Sequence, residues 1–469
     1  MSKSNRSSEK INPKISAVEV TSDTLSGRGG LALFVRYLTG VGILELLASR
    51  FGNLRRSKKG AAVEGLFKQT LCFLFDGTSH HMSHFDKLKQ DSGYAGVLEE
   101  HQQDLASSHT VKRFFRAFPF GCGIVFRIIL KQLFVWRLKL KEPELIELTI
   151  DTMVMNNDEA EKREGVEPTY KKVKGFQPLQ VIWDGKIVDA LLRNGKKNGN
   201  SGSAVSNMVR SLVKLIRSRY SSEVTIVVRL DAGFFDQKLF EVFDELGIGF
   251  ICSGKMFNNV KEHVAGVPEN QWNSYTSGKY EWEYVEWNYS ADSWDCSYRA
   301  LYTRPVYDND GQTLLDFARP DNVIVTNIGV NEDVLIHCSE ETEEVLESPE
   351  YIIRSHHLRG ADELPHRGLK DLGTENLPFK RFAANSAFYY LMVIAFFLFE
   401  TFKEDVIAES LPQLAKSYAT TIRRTLVDFA AKIVRTGGKV ILKITKATID
   451  RLKFHELWFR AQSPPPLSC

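Results

Sequence analysis

Two aspartates in this sequence stand where carboxylates do metal chemistry. Asp151 closes the apolar run Leu145–Ile150, and Asp231 closes the run Val224–Leu230. Short apolar, β-branched runs read as buried strands, so a residue just past each run sits at a sheet edge. If the two strands are neighbours, both carboxylates emerge on the same edge. A hard divalent cation takes several carboxylate oxygens, and a third acid would complete the set. Either aspartate alone reads better as a turn former or a helix cap; the pair, within one α/β unit, brings a shared ion level with that reading. His80, His81 and His84 are close together, but no cysteine or carboxylate accompanies them at ligand spacing. They read as a helix-surface cluster.

The elements that must position the two acids follow from periodicity. Glu144–Met155 is β-rich and carries Asp151. Leu179–Leu192 is two strands joined at Asp184-Gly185, a dipeptide that suits a type I′ hairpin turn. Ser203 can cap a helix whose apolar stripe is Val205, Met208, Val209, Leu212, Val213 and Ile216. The strand ending at Asp231 comes next, then a helix from Asp236 to Leu246 closed by Gly247, then the strand Ile248–Cys252. This β-β-β-α-β-α-β order is α/β and, by analogy, that of a ribonuclease H-like core.

Upstream, from Gly30 to about Phe126, apolar residues fall at helical spacing. Between about Lys255 and Glu350 the chain turns aromatic and alternating, with four of its seven tryptophans (Trp272, Trp282, Trp287, Trp294). That stretch reads as a β-rich insertion whose tryptophans either pack the sheet or stack on bases. Helical signals return at about Leu364 and run to the end, broken by a loop at Gly437-Gly438. The apolar run Ala387–Phe399 is shorter than the ~20 residues that span a bilayer, so it reads as a core helix.

The bulk numbers agree with a globular chain of two or three units: 469 residues, 43% hydrophobic, 25% charged and a net charge of +3. The six cysteines are scattered, as reduced cytosolic thiols are. The polar, basic N-terminus has no apolar core of a secretory signal. The small net charge hides an asymmetry: Thr421–Arg460 holds ten Lys/Arg against three Asp/Glu, the electrostatic footprint of DNA-backbone contact or of a solvated helix surface.

The segment HHLRGADELPHRGLKDLG makes a resemblance specific. Arg359, Glu363 and Lys370 have the Arg-x3-Glu-x6-Lys spacing, and the chain resembles the DDE transposases of bacterial insertion sequences marked Tyr-x2-Arg-x3-Glu-x6-Lys. His356 stands at the tyrosine position. The earlier pair Tyr351 and Arg354 leaves Leu358 where the glutamate belongs, so the later register is kept. TIDTMV and RLDAGFF resemble the family's two aspartate motifs, KKVKGFQPLQVIWDG the stretch before its hairpin, and SSHTVKRFFRAF the segment before the catalytic domain. LPFKRFAANSAFYYLMVIAFFLF resembles the asparagine-containing helix after the glutamate. The likeness runs from about Gly30 to Arg460.

The resemblance implies a site of Asp151, Asp231 and Glu363 holding two Mg²⁺ or Mn²⁺ ions for phosphoryl transfer on DNA. His356, Arg359 and Lys370 would grip phosphates beside the cut, and on one ideal helix they and Glu363 share a narrow arc. Pro365 argues for a helix start at Glu363 instead. Arg423, Arg424 and Lys432 are the C-terminal candidates for DNA contact. The expected organisation is a leader (1–20), a helical DNA-end-binding domain (21–140) and a catalytic core in two parts (141–255 and 350–403). A β-rich insertion (256–349) divides the core, and a basic helical region follows (404–469). The expected partners are double-stranded DNA, as terminal inverted repeats and target, and a second copy in the synaptic complex, with no membrane. The expected place is the bacterial cytoplasm, at the nucleoid. The other reading is a DNA-binding protein that kept the fold and lost catalysis; the presence of all three acids favours the active enzyme.

Overall fold

The computed structural model describes residues 14–467 apart from 55–59, 160–161, 198–202, 278–279, 292–293, 309–320 and 359–362, and at Glu363 it describes the backbone. Residues 1–13 of the expected leader and Arg359 lie outside the described residues.

Helices come first, as the 3.6-residue spacing requires: among them α1 (Leu31–Val41), α2 (Val63–Asp76) and α3 (Cys122–Lys141). Five strands then form one side of a sheet: β1 (Leu145–Thr152), β2 (Leu179–Trp183), β3 (Lys186–Leu191), β4 (Thr225–Leu230) and β5 (Gly249–Ser253). β1 pairs antiparallel with β2 and parallel with β4, and β4 pairs parallel with β5. The β2–β3 turn has positive φ at both central residues, 48° at Asp184 and 73° at Gly185, as a type I′ turn demands. Helix α4 (Ala204–Arg219) joins β3 to β4 and buries the six stripe residues named above. Ser203 occupies its N-cap, and its hydroxyl accepts from the Asn207 side-chain amide at 3.2 Å instead of capping a backbone N–H. Helix α5 (Gln237–Glu245) joins β4 to β5, and the Asp236 carboxylate accepts the Leu239 N–H at its start.

The aromatic stretch is not a separate body. Strands β6 (Asn273–Ser277), β7 (Tyr280–Tyr289), β8 (Tyr298–Asp308) and β9 (Asn322–Thr326) extend the same sheet, through an antiparallel β9–β5 pairing. The result is a nine-stranded mixed sheet of order β6-β7-β8-β9-β5-β4-β1-β2-β3. Its tryptophans pack within it: Trp294 meets Phe240, Tyr289 and Tyr298 edge-on and Phe235 at a tilt, Trp282 is buried against His357, the Trp287 and His263 ring centres are 4.7 Å apart, and the Arg304 guanidinium covers Trp272 at 3.7 Å.

Beyond the insertion come α6 (Pro349–Leu358), α7 (Glu363–Leu372) and α8 (Phe382–Phe402). Helix α8 is long and apolar enough to cross a membrane, but most of it is enclosed by protein. It packs on α1, α2 and α3, with Phe402 against Phe34 of α1 and Phe399 against Phe75 of α2. Asn385 fixes its entry: the side-chain oxygen accepts the Phe379 N–H at 2.8 Å and the side-chain amide donates to the Phe379 carbonyl at 2.7 Å.

The C-terminal region departs from the expected all-helical reading. Ala431–Thr436 and Lys439–Ile444 form an antiparallel hairpin around Gly437-Gly438, and Thr24–Ser26 pairs against its first strand. The run KIVRT-GG-KVILKI alternates with period two around a Gly-Gly turn, which is a hairpin signal. The last helix, α9 (Phe454–Gln462), packs on α1.

Candidate active site

Register places the two aspartates side by side. Ile150 is level with Leu230, and Leu230 is level with Cys252. The next positions, Asp151, Asp231 and Ser253, therefore form one row at the carboxyl ends of three adjacent parallel strands, with neighbours about 4.8 Å apart. Both carboxylates are half-buried. Asp151 Oδ1 accepts its neighbour's Thr152 N–H at 2.6 Å, and Asp231 Oδ1 accepts the Gly233 N–H at 2.9 Å. These bonds hold each head at the edge rather than down the strand.

Under this row, on the same face of β1 by alternation, runs a partly buried polar stripe. Arg229 Nε donates to Thr149 Oγ1 at 3.1 Å. Glu147 Oε1 accepts from Tyr351 Oη at 2.9 Å and from Ser355 Oγ at 3.1 Å. Burial first, and then the Glu147 charge, push the Tyr351 phenol far above its ordinary value, so it stays a donor. Helix α6 is thereby fastened over β1.

His356 corrects the expectation of a DNA-facing side chain. It is 7% exposed, and its Nε2 lies 2.8 Å from Ser253 Oγ. It anchors the end of α6 to the end of β5, within the protein. His356 lies in α6 and Glu363 in α7. Pro365 is the third residue of α7 as described, in a first turn where proline is tolerated.

Glu363 is the first residue of α7, and one turn on the same helix returns to Asp151. His366 Nδ1 lies 3.7 Å from Asp151 Oδ2, and the ring is 8% exposed. Burial first, then the nearby Lys370 and Lys171 cations, push this imidazole down to about 4. Lys370, one further turn along, pairs with Glu375 at 3.0 Å. Beyond α7, Asn157 Nδ2 donates to the Glu375 carbonyl at 2.9 Å, and its Oδ1 accepts the Leu377 N–H at 3.0 Å. The chain leaving Asp151 is thus stitched to the chain leaving α7. His366 escaped the sequence reading, although the Glu363-x2-His366 spacing was there to find; Ser253 carried no signal of its own.

Of the C-terminal cations, Arg423 corrects the expectation most sharply. It is 7% exposed. Its guanidinium donates to the carbonyls of Leu74 and Phe75 at the end of α2 and of Asp371 and Leu372 at the end of α7. Gly77, the αL cap of α2 at φ 60°, makes room: a Cβ there would lie 2.1 Å from Arg423 Cζ. Lys432 pairs with Asp23 at 2.8 Å and is partly exposed, while Arg424 is exposed.

Carboxylate oxygens on adjacent strand ends are the donor chemistry a hard cation takes, so the residues present fit a divalent metal. Among the described residues, no three His, Cys, Asp or Glu side chains already surround a single metal position.

A large mixed sheet flanked by helices, with two carboxylates level on neighbouring parallel strands, defines an α/β protein with an acidic site at the strand ends. The chain belongs to the transposase DDE domain group 1 family, whose model it matches over residues 8–463. A search of curated proteins found no match. Among solved structures, piggyBac transposase, determined by cryo-EM as a synaptic complex with hairpin DNA, is similar at a TM-score of 0.42 and 13% identity, over 84% of this chain and 78% of that one.

Proposed function

We propose that this DDE transposase cleaves DNA strands at the ends of an insertion sequence and joins them to target DNA, using Asp151, Asp231 and Glu363. The observation that carries the reading is the level row of Asp151 and Asp231 at the carboxyl ends of β1 and β4, in a chain of this family. The strand directions, with β1 antiparallel to β2 and parallel to β4, support a ribonuclease H-like core. The metal pair, Mg²⁺ or Mn²⁺, would activate the attacking hydroxyl and stabilise the leaving oxygen. The protein's part is position. The backbone N–H groups of Thr152 and Gly233 aim the two aspartates, and Asn157 ties the chain leaving Asp151 to the chain leaving α7, the helix that Glu363 opens.

Lys370 lies on the His366 face of α7 and, with Lys171, supplies positive charge toward this edge; both suit phosphates flanking the cut. Arg359 belongs to the proposed grip by its spacing to Glu363. Arg424 and the exposed cations of the C-terminal hairpin would contact DNA backbone farther out. The helical region 21–140 would read the terminal inverted repeats, and two copies would meet in the synaptic complex, in the bacterial cytoplasm.

The test is strand cleavage on end-containing DNA in Mg²⁺ by Asp151→Asn, Asp231→Asn and Glu363→Gln. Each abolishes cleavage while end binding persists in a gel-shift assay. Cleavage at wild-type rate by Glu363→Gln would move the third acid elsewhere, with Glu375, beside Lys370 and the Asn156 N–H, as the next candidate.

A further inference from the structure

We propose that residues 18–21 of one copy add as a strand to the open edge of the C-terminal hairpin of a second copy, and the reverse. The inference rests on the reading above that two copies meet, names the surface where they do, and uses none of the cleavage chemistry.

Two unmet surfaces of the same chain carry it. The first is the stretch that leads into the Thr24–Ser26 strand, where residues 15–22 belong to no helix or strand. Val18 is 95% exposed and Val20 is 101% exposed. Both are β-branched residues that favour a half-buried sheet, and Glu19 alternates with them. The second is the strand Lys439–Ile444, the last of its three-stranded sheet. One row of its backbone N–H and C=O groups therefore faces outward, a template for an added strand. Leu442 and Ile444 of this strand pack toward the core, and Lys439, Ile441 and Lys443 take the other face by alternation.

One antiparallel register satisfies both faces. With Val20 opposite Leu442, Val18 falls opposite Ile444 and Glu19 opposite Lys443. The valines then extend the apolar face, and a carboxylate meets an ammonium on the solvent face. A slip of one residue would turn both valines to water.

The same register decides the occupant. Leu442 is level with Ile433, and Ile433 is level with Thr24. Val20 would therefore stand level with Thr24 of the chain it docks on, across the whole width of the sheet. Those two places are three strand spacings apart, about 14 Å. Residues 20 to 24 of one chain span at most about 14 Å when fully extended, which leaves nothing for the detour around the hairpin tip. The segment cannot reach its own edge, so the added strand comes from a second copy. A mutual exchange closes under two-fold symmetry.

Sedimentation of the full-length protein without DNA tests the exchange. Wild type is a dimer at micromolar concentration. Burying one valine is worth about tenfold in affinity, so Val18→Asp with Val20→Asp weakens the dimer by at least about a hundredfold. Glu19→Lys and Lys443→Glu each weaken it, and the two together restore it, which a misfolded chain would not do. When copies with different tags are mixed, one carrying Val20→Cys and the other Leu442→Cys, mild oxidation joins the two tags. A dimer indifferent to the valine substitutions and to the charge exchange overturns the proposal. So does a disulfide formed within one monomeric chain that carries both cysteines, because the segment then folds back on its own sheet. An unchanged dimer with lost DNA binding in the valine variants makes DNA the occupant and also overturns it. A wild type that is monomeric alone yet pairs DNA ends leaves the synaptic reading standing and removes the strand exchange from it.

Discussion

Replacing Arg423 by alanine separates a DNA contact from an internal brace. Its guanidinium supplies four carbonyls that end two helices, and three of the four bonds are buried. A buried carbonyl without a donor costs about 1–3 kcal/mol, so three orphans would cost about 3–9 kcal/mol. Part of that is offset, because burial also penalises the guanidinium itself and holds it below its ordinary value. A net loss of about 3–5 kcal/mol remains. At about 2.1 cal/mol/K per residue, unfolding 469 residues together carries an entropy of about 1 kcal/mol/K. The thermal midpoint, followed by far-UV circular dichroism, should therefore fall by about 3–5 °C. Arg423→Lys recovers only part, since one ammonium cannot reach both helix ends. A phosphate contact would instead leave the midpoint unchanged and make the plot of log K against log salt shallower by about one. That pair of results would refute the brace.

Three other outcomes follow from the same structure. Asn385→Ala removes both bonds to the Phe379 backbone and should lower stability in urea by about 2–4 kcal/mol, with Asn385→Asp intermediate because it keeps the acceptor. Replacing the exposed Arg435, Lys439 and Lys443 of the C-terminal hairpin by glutamine should weaken DNA binding for all sequences and flatten the salt slope by about two to three; an unchanged slope assigns them to solvent. Burial pushes the Cys72 thiol up to about 12, so at pH 8 the thiolate, the reactive form, is nearly absent; peptide mapping should find Cys72 unlabelled in native protein and labelled after denaturation, and fast native labelling would contradict its burial.

What the sequence made legible was local or periodic. The β2–β3 turn followed from Asp184-Gly185, the α4 stripe from its 3.6-residue spacing, and the row of Asp151 and Asp231 from two apolar runs that proved to be neighbours. What it concealed was set by distant partners. Arg423 looked like one more cation in a basic stretch, because the carbonyls it satisfies belong to residues 74–75 and 371–372. His356 looked available to DNA, because Ser253 is a hundred residues away in the chain. The C-terminal hairpin was missed for a different reason: Gly437-Gly438 was read as a helix break although the flanking runs alternate. The extension of the sheet by β6–β9 depends on the β9–β5 pairing, which no local pattern encodes.

The pairing of Thr24–Ser26 with Ala431–Ile433 sets a timetable for synthesis. The first strand of the chain waits for a partner made about 400 residues later. At about 5–20 residues per second, a ribosome needs about 20–80 s to supply it. Phe34 and Phe75 wait almost as long for Phe402 and Phe399. The N-terminal helices therefore emerge with part of their apolar face uncovered and finish folding only when the C-terminal helices arrive. A product truncated before α8 would carry both aspartates yet leave that face bare, so quality control in the cell would meet it as an aggregation-prone chain, not as a smaller enzyme.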